Sequence, residues 1–177
     1  MKKRPFLKFI FLFFVGFVSL FVITACVSVN LAPKGSVKSK NFNYQEPAAP
    51  FEKKELTGAD LSWQSMTTGN SISVVTDCSS AADVNLESVQ NDFYQSLSQP
   101  KINRSESKIW NEREALFSEG EGKLDGVPVR MEFVVLSKNA CLYTLSFVGA
   151  AKKFAGEKKY FEQFINAFKV GSSNSHD

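Results

Sequence analysis

In the C-terminal half of the chain, apolar positions alternate with Pro128, Arg130 and Glu132, which is the pattern of a β-strand with one buried face. In residues 127–136 the apolar positions are Val127, Val129, Met131, Phe133 and Val135. A second alternating stretch, residues 141–148, follows the turn residues Lys138 and Asn139. Two such stretches joined by a short polar turn predict antiparallel neighbours in a β-sheet.

Further strands are predicted on both sides of this pair. Residues 61–66 and 71–78 form a hairpin through Gly69-Asn70, because their alternating segments are separated by turn residues. Residues 105–110 and 114–120 are shorter candidates, and Asp125-Gly126 before the central stretch is a strong turn signal.

Two segments show the helical spacing of one apolar residue every three or four positions. Residues 85–98 predict the first helix, which Pro100 ends, and residues 157–169 predict the second. The order of the elements predicts an α+β fold, with an antiparallel sheet of about five to six strands and two main helices packed on it.

The N-terminal segment has the layout of a secretory signal. A basic start is followed by an apolar run over residues 9–23, which is shorter than the roughly 20 residues that span a bilayer as a helix. Ile23-Thr24-Ala25-Cys26 closes the run and resembles a bacterial lipobox. We therefore predict a lipoprotein signal peptide at residues 1–25; a plain signal peptide or an N-terminal anchor is the alternative.

Lipidation of Cys26 with diacylglycerol and a further acyl chain such as palmitate would hold the protein stably on a lipid bilayer. Val27 follows the cysteine at the position where an aspartate usually marks retention in the inner membrane. By that resemblance we expect a cell-envelope protein in the outer membrane that faces the periplasm. Residues 26–50 predict a flexible tether that is rich in Ser, Asn, Lys, Ala and Pro. Residues 51–170 predict one domain, and residues 171–177 a disordered tail.

Cleavage of the signal peptide changes the charge of the chain. The leader carries four basic residues and no acidic ones, so its removal changes the formal net charge from +3 to −1. The basic isoelectric point near 8.7 therefore belongs to the precursor. We expect no nucleic acid as a partner, because the mature chain lacks the basic excess that such binding needs.

Two cysteines remain after Cys26, and both lie in the predicted domain. Cys78 ends one predicted strand and Cys141 begins another. In an oxidising compartment the pair is a candidate disulfide, provided that the two strands are neighbours. The alternative is two buried reduced cysteines, which pack as small apolar groups.

The order of the elements over residues 51–170 resembles that of the Mog1/PsbP-like α/β sandwich group. The likeness consists of the hairpin at Gly69-Asn70, a helix, a meander that turns at Asp125-Gly126, and a closing helix that ends at Lys169. Members of that group mostly act as binding or assembly-stabilising modules without catalysis, and the resemblance implies the same role here. No position matches a binding motif of the group, so it implies no functional residue.

Few residues suggest catalysis. The only histidine is His176 in the polar tail, so we predict no mechanism that needs an imidazole acid or base. Ser105 and Lys108 match a Ser-x-x-Lys pattern, but its companion motifs Ser-Asp-Asn and Lys-Thr-Gly are missing from the sequence. No His cluster or C-x-x-C pair suggests a metal site. We therefore expect a protein that is not an enzyme and has no cofactor or metal.

Four residues form a candidate binding surface: Trp63, Trp110, Lys152 and Lys153. Tryptophan is often the energetic anchor of an interface, and a lysine pair suits anionic lipid or an acidic partner. The alternatives are buried core tryptophans and a solvated helix face.

Two functions from different classes follow. The first is a membrane-anchored, non-catalytic envelope lipoprotein whose domain binds or stabilises another envelope component, with another envelope protein as its partner. The second is a periplasmic carrier of a small hydrophobic ligand. It predicts a pocket lined by Phe133, Tyr143 and Phe147.

Overall fold

The computed structural model describes residues 36–79 and 84–171. The predicted signal peptide, its cleavage site, the lipidation site Cys26 and most of the predicted tail lie outside these residues. Within the two described ranges, no helix combines the length and the apolar character that crossing a bilayer requires.

The described residues form nine strands and two helices. The strands are β1 (Phe42–Asn43), β2 (Phe51–Lys53), β3 (Leu61–Ser65), β4 (Ser71–Asp77), β5 (Ser98–Trp110), β6 (Arg113–Leu124), β7 (Val127–Lys138), β8 (Cys141–Ala150) and β9 (Lys169–Val170). The helices are α1 (Leu86–Gln95), between β4 and β5, and α2 (Ala151–Ala167), between β8 and β9.

Seven strands form one antiparallel sheet in the order β2-β3-β4-β8-β7-β6-β5, and β1 pairs with β9 in a separate two-stranded sheet. This confirms the predicted α+β class with two helices. The main sheet has more strands than predicted, because β2 has only three residues and is too short to show an alternating pattern.

Tight turns connect the long strands β5 to β8. The two turn residues have positive φ in each case: Asn111 and Glu112, Asp125 and Gly126, and Asn139 and Ala140. This is the geometry of type I′ turns, which suits the twist of paired strands. The pairing therefore continues up to each turn, and β5 to β8 are longer than their predicted counterparts. β5 even includes Pro100, which an edge strand tolerates because its outer backbone groups need no partner.

The sheet is covered on both faces, each by one helix. On the α2 face, alternate residues of the sheet and the apolar side of α2 form the larger core; these residues include Trp63, Ile72, Tyr143, Leu145, Phe147, Phe154, Phe161, Phe164 and Phe168. On the α1 face, a smaller core contains Tyr94, Leu97, Met131, Phe133 and Val135.

Helix α1 begins where it was predicted, because the Asn85 side chain accepts hydrogen bonds from the backbone N–H groups of Glu87 and Ser88. It lies close to β6 because two glycines make room for it. A Cβ on Gly120 would lie 2.4 Å from the Tyr94 ring, and one on Gly122 would lie 2.9 Å from the Leu97 Cβ.

Helix α2 begins six residues earlier than predicted, at Ala151. Its first turns carry a single large apolar side chain, Phe154, which is fully buried against Phe147. One apolar residue among lysines and alanines gives no helical periodicity, so the sequence could not reveal this part of the helix.

Residues 36–50, here named the N-terminal strap, pack against the α2 face. Phe42 stacks on Phe168 with 5.1 Å between the ring centroids, and Tyr44 meets Trp63 edge-on at 5.6 Å. The Cys78 N–H donates a hydrogen bond to the Val37 carbonyl. The structure therefore differs from the predicted boundary at residue 51, because the packed domain begins within the predicted tether.

The predicted disulfide between Cys78 and Cys141 is confirmed. The register of β4 and β8 pairs Asp77 with Leu142, so the next position places the two cysteines opposite each other, with their Cα atoms 4.0 Å apart. The bond joins residues that are 63 positions apart. For a loop of that length, the chain-entropy model gives about 4 kcal/mol of stabilisation.

Candidate ligand cavity

The structure does not unite the four residues of the predicted binding surface. Trp63 is 1% exposed and packs between Tyr44 and Phe164 on the α2 face. Trp110 is half-buried and stacks on Phe168. Four strands separate the two tryptophans in the sheet. Both are core residues of the α2 face, so neither forms an exposed anchor beside Lys152 and Lys153, which are exposed at the start of α2.

The Ser-x-x-Lys pattern does not form a catalytic pair. Ser105 and Lys108 are an odd number of positions apart on β5, so their side chains leave opposite faces of the sheet. The Ser105 hydroxyl donates to the Gln90 side-chain oxygen at 2.6 Å, and Lys108 forms an ion pair with Glu106.

Of the three residues predicted to line a pocket, two lie in a packed core. Tyr143 and Phe147 are fully buried on the α2 face, where they contact other aromatic rings. Phe133 points to the α1 face and does line a cavity. The pocket therefore lies on the face of the sheet opposite to Tyr143 and Phe147.

The cavity has a volume of about 290 Å³ and lies on the α1 face, beside the C-terminal half of α1. One wall is apolar and is formed by Phe93, Leu97, Leu124, Met131, Phe133 and Val148. Beside it, on neighbouring strands of the same sheet face, the lining is polar and consists of Ser62, Gln64, Ser71, Ser73 and Ser146.

The position of α1 explains why the cavity exists. The helix contacts β5, β6 and β7, which form one side of the sheet. On the same face, the neighbouring strands β3, β4 and β8 carry serines instead of large apolar residues. Ser62 is paired with Ser73, and Ser73 with Ser146, so three small side chains lie in a row across neighbouring strands. Ser146 is in turn paired with Phe133, where the apolar wall begins.

Hydrogen bonds within the polar part of the lining leave one hydroxyl proton and several lone pairs of the serines unused. The Ser73 and Ser146 hydroxyls are 2.7 Å apart and share one hydrogen bond, which is the only one found for either hydroxyl among the described residues. Since each hydroxyl has one proton, one proton of this pair remains available to an acceptor. Ser62 donates to the Lys54 carbonyl, and Ser71 to the Val148 carbonyl at 3.5 Å.

The charged residues of the lining, Lys54 and Glu55, are exposed. The Lys54 ammonium lies 3.5 Å from the Glu52 carboxylate. The rest of the lining has no titratable side chain, so the cavity contains no buried acid or base.

A second polar group lies on the α2 face, where β5, β6 and β7 meet α2. The carboxylates of Glu119 and Glu132 lie beside Lys158, with Nζ–O distances of 2.6 and 3.0 Å respectively. Arg130 also pairs with Glu119, and Arg104 lies 3.2 Å from Glu132. Each of these charged groups lies beside at least one group of opposite charge, so we assign the cluster a structural role.

Burial raises the pKa of Glu132 above the usual value for glutamate, although Lys158 acts in the opposite direction. Burial acts on Glu119 too, but the Lys158 hydrogen bond and the nearby charges outweigh it and lower the pKa. The sequence gives only a weak signal for this cluster, which is the polar positions Arg130 and Glu132 in an otherwise apolar strand.

Glu157 forms the third polar group and fastens α2 to the turn between β3 and β4. Its carboxylate accepts hydrogen bonds from four side chains of that turn: Ser65 at 2.8 Å, Thr67 at 3.0 Å, Thr68 at 2.5 Å and Asn70 at 3.0 Å. Burial would raise the pKa of Glu157, but these hydrogen bonds outweigh it and lower the pKa. Among the described residues, no group of three or more His, Cys, Asp or Glu side chains is arranged to hold a metal ion.

Comparison with solved structures finds proteins whose backbones follow a similar course. One is a protein of unknown function from Pseudomonas aeruginosa, which is 12% identical; the match covers 74% of this chain and 83% of that one, with a TM-score of 0.46. Another is CyanoP, the cyanobacterial PsbP of Synechocystis, at 15% identity, 79% and 98% coverage and a TM-score of 0.46. LpqN, which is involved in cell envelope biogenesis of Mycobacterium tuberculosis, matches at 9% identity, 77% and 82% coverage and a TM-score of 0.46.

One of these three proteins is a PsbP, from the group that the element order resembles. At these sequence identities and TM-scores, the similarity concerns the course of the backbone alone. No protein-family model matches the sequence, and no curated protein matches it.

Proposed function

We propose that this protein is a non-catalytic, lipid-anchored protein of the cell envelope that binds a small hydrophobic ligand in the cavity on the α1 face. The observation that carries the proposal is the cavity itself. Its volume of about 290 Å³ is at the lower end of the range for ligand sites, and a largely apolar lining with a few placed polar groups is typical of such sites.

The composition of the lining favours binding over catalysis. General acid–base chemistry needs a titratable group within hydrogen-bonding reach of the substrate. The titratable groups of this lining, Lys54 and Glu55, are exposed. The serine hydroxyls have no adjacent base in the lining that would activate a nucleophile.

The lipobox motif supports a location at the bilayer. The residues between Cys26 and Ser36 span at most about 35 Å when fully extended, so an anchor at Cys26 would keep the domain close to the lipid surface. A cavity for a hydrophobic molecule is useful at that place, because the bilayer both supplies and receives such molecules.

Another envelope protein is the second candidate partner, and one observation favours it. β5 is an edge strand of 13 residues, nearly all of them exposed, and its Ile109 side chain is 78% exposed. Such an edge can pair with a strand of another protein. However, register shifts between Ser98 and Arg104 and lysines on the strand are features that discourage pairing. We therefore rank this function below ligand binding.

A fluorescent apolar probe tests the proposal. The uncharged dye N-phenyl-1-naphthylamine is titrated into the full-length chain after export and processing by the cell. Ser73→Leu places a larger side chain in the cavity, and we expect the affinity for the dye to fall at least roughly tenfold. The control is Ser107→Leu, the same substitution at an exposed position of β5 outside the cavity, which leaves the affinity unchanged.

Two results would overturn the proposal. One is a folded Ser73→Leu protein that binds the dye as tightly as the unmodified protein. The other is a dye that no form of the protein binds. If Ser73→Leu does not fold, the smaller change Ser146→Val takes its place with the same expected result.

A further inference from the structure

We infer that the ligand is an uncharged amphiphile with one apolar chain of about ten carbon atoms and a head group that bears a hydroxyl. This inference rests on the proposed function, that the cavity binds a ligand, and adds the chemical class of that ligand. Its basis is the division of the cavity into one apolar and one polar wall.

The two walls require a ligand with two different parts. Phe93 and Phe133 lie on the apolar side with their ring centroids 5.3 Å apart. Carbon atoms placed there lose contact with water, which is favourable because it removes apolar surface from the solvent. On the polar side, a ligand that is entirely hydrocarbon would leave the unused proton and lone pairs of the Ser73–Ser146 pair without a partner, which is costly.

The Ser73–Ser146 pair defines what the head group must offer. One serine proton is available, so the head group needs an acceptor oxygen. Serine oxygens can each accept two hydrogen bonds, so lone pairs also remain available and the head group gains by having a donor. A hydroxyl has both functions in one atom, whereas an ether or a ketone oxygen only accepts.

The absence of charge inside the lining excludes ionic head groups. A carboxylate or an ammonium group bound at the serines would be a buried charge without an opposite charge beside it, and such burial is unfavourable. Lys54 is the nearest cation of the lining, but it is 47% exposed and already lies beside Glu52.

The volume sets the length of the chain. A water molecule occupies about 30 Å³ in the liquid, so 290 Å³ corresponds to about ten groups of that size. A longer chain would extend through the opening and gain little further affinity.

Displacement of the same dye by four ligands of matched length tests the inference at pH 7. The ligands are 1-decanol, methyl nonyl ether, decanoate and decylammonium. We expect 1-decanol to bind roughly fivefold more tightly than the ether, because only the alcohol donates a hydrogen bond. We expect both charged ligands to bind at least roughly tenfold more weakly than 1-decanol.

A serine variant identifies the groups that carry this preference. In the double variant Ser73→Ala and Ser146→Ala, the alcohol and the ether should bind equally. The control Ser107→Ala, at an exposed position of β5, should keep the preference of the unmodified protein. Alanine is smaller than serine, so the double variant keeps the cavity open and still binds the dye.

The outcomes separate the two levels of the proposal. If the ether or a charged ligand binds as tightly as 1-decanol, or if the double variant keeps the preference, the assigned head group is wrong while ligand binding stands. If neither the dye nor any of the four ligands binds to the unmodified protein, the proposed function fails together with the inference.

Discussion

Among single residues, Glu157 shows most clearly how a charge is accommodated inside this fold. The residue is 6% exposed, yet no cation contacts its carboxylate among the described residues. Four neutral donors of the β3–β4 turn replace the water that a carboxylate normally binds. The sequence shows the run Thr67-Thr68-Gly69-Asn70 only as a turn signal. Its role as a binding site for a helix glutamate depends on packing that brings together residues about 90 positions apart.

We predict that Glu157→Gln lowers the free energy of unfolding at pH 7 by about 2 to 3 kcal/mol. An amide gives one oxygen to four donors, and its NH₂ group faces donors instead of acceptors. The pKa of Glu157 is lowered in the folded state, so its stabilising effect is present above the unfolded pKa near 4.5 and is lost as the pH falls. Urea unfolding of both proteins should therefore show a large difference at pH 7 and a smaller one near pH 3.

The matched control is Glu162→Gln, which makes the same substitution at an exposed position of the same helix. We expect it to change the unfolding free energy by less than about 0.5 kcal/mol. An equal loss of stability in both variants, or a Glu157→Gln difference that does not shrink in acid, would contradict the role assigned to the carboxylate.

Among the elements, the long hairpins were the most predictable part of the fold. Asp125-Gly126 is a strong signal for a type I′ turn, and the alternation in β7 and β8 fixes which residues face each helix. Elements with little pattern of their own escaped detection: β1, β2 and β9 are two or three residues long, and Phe154 is the only large apolar residue in the first turns of α2.

The cavity could not be predicted for a different reason. Ser62, Ser73 and Ser146 alternate with apolar residues, and such positions normally face solvent. Only the structure shows that these serines are 4–6% exposed and line one cavity together with the apolar residues of α1. Of the three residues predicted to line a pocket, Phe133 alone lines this cavity, and it was suggested because it belongs to the alternating apolar stretch.

We predict that Ala140→Gly raises the free energy of unfolding by about 1 kcal/mol. Ala140 has a φ of 54° in the turn between β7 and β8, and a left-handed conformation costs a residue with a Cβ about 1 to 2 kcal/mol. Glycine also has a more flexible unfolded state, which reduces the gain. Urea unfolding at pH 7 measures the effect.

The reverse substitution in the preceding turn serves as the comparison. Gly126 has a φ of 81°, and a Cβ there would have no heavy atom within 4 Å, so Gly126→Ala introduces conformational strain without a steric clash. It should lower stability by a similar amount. A destabilised Ala140→Gly protein would show that the turn is held by contacts of the alanine methyl group.

At the scale of the whole molecule, the N-terminal strap and the cavity lie on opposite faces of the sheet. The strap begins beside Cys78, at one end of β4, and lies on the α2 face. The cavity lies on the α1 face, and its lining extends to Ser71 at the other end of β4. The described part of the strap therefore does not obstruct the cavity.

This separation predicts that membrane attachment and ligand binding can be lost independently. In Cys26→Ser, the protein should leave the membrane fraction and lose incorporation of labelled palmitate, while its affinity for the apolar dye stays within twofold of the unmodified protein, because no atom of the cavity changes. Ser73→Leu is the complementary variant, which should remain in the membrane fraction and lose dye binding. A Cys26→Ser protein that stays membrane-bound would disprove the lipid anchor at this residue.

The pairing of β1 with β9 also determines the point in synthesis at which the fold can form all of its contacts. The ribosome synthesises Phe42 among the first residues of the domain and Phe168 and Val170 among the last, and these residues meet at the same place. This contact joins residues that are far apart in the chain, and it is impossible until Val170 has been made. A chain that ends before Phe168 would leave the Phe42 ring without its stacking partner and β1 without its paired strand, and so would leave the strap less firmly held than in a finished molecule.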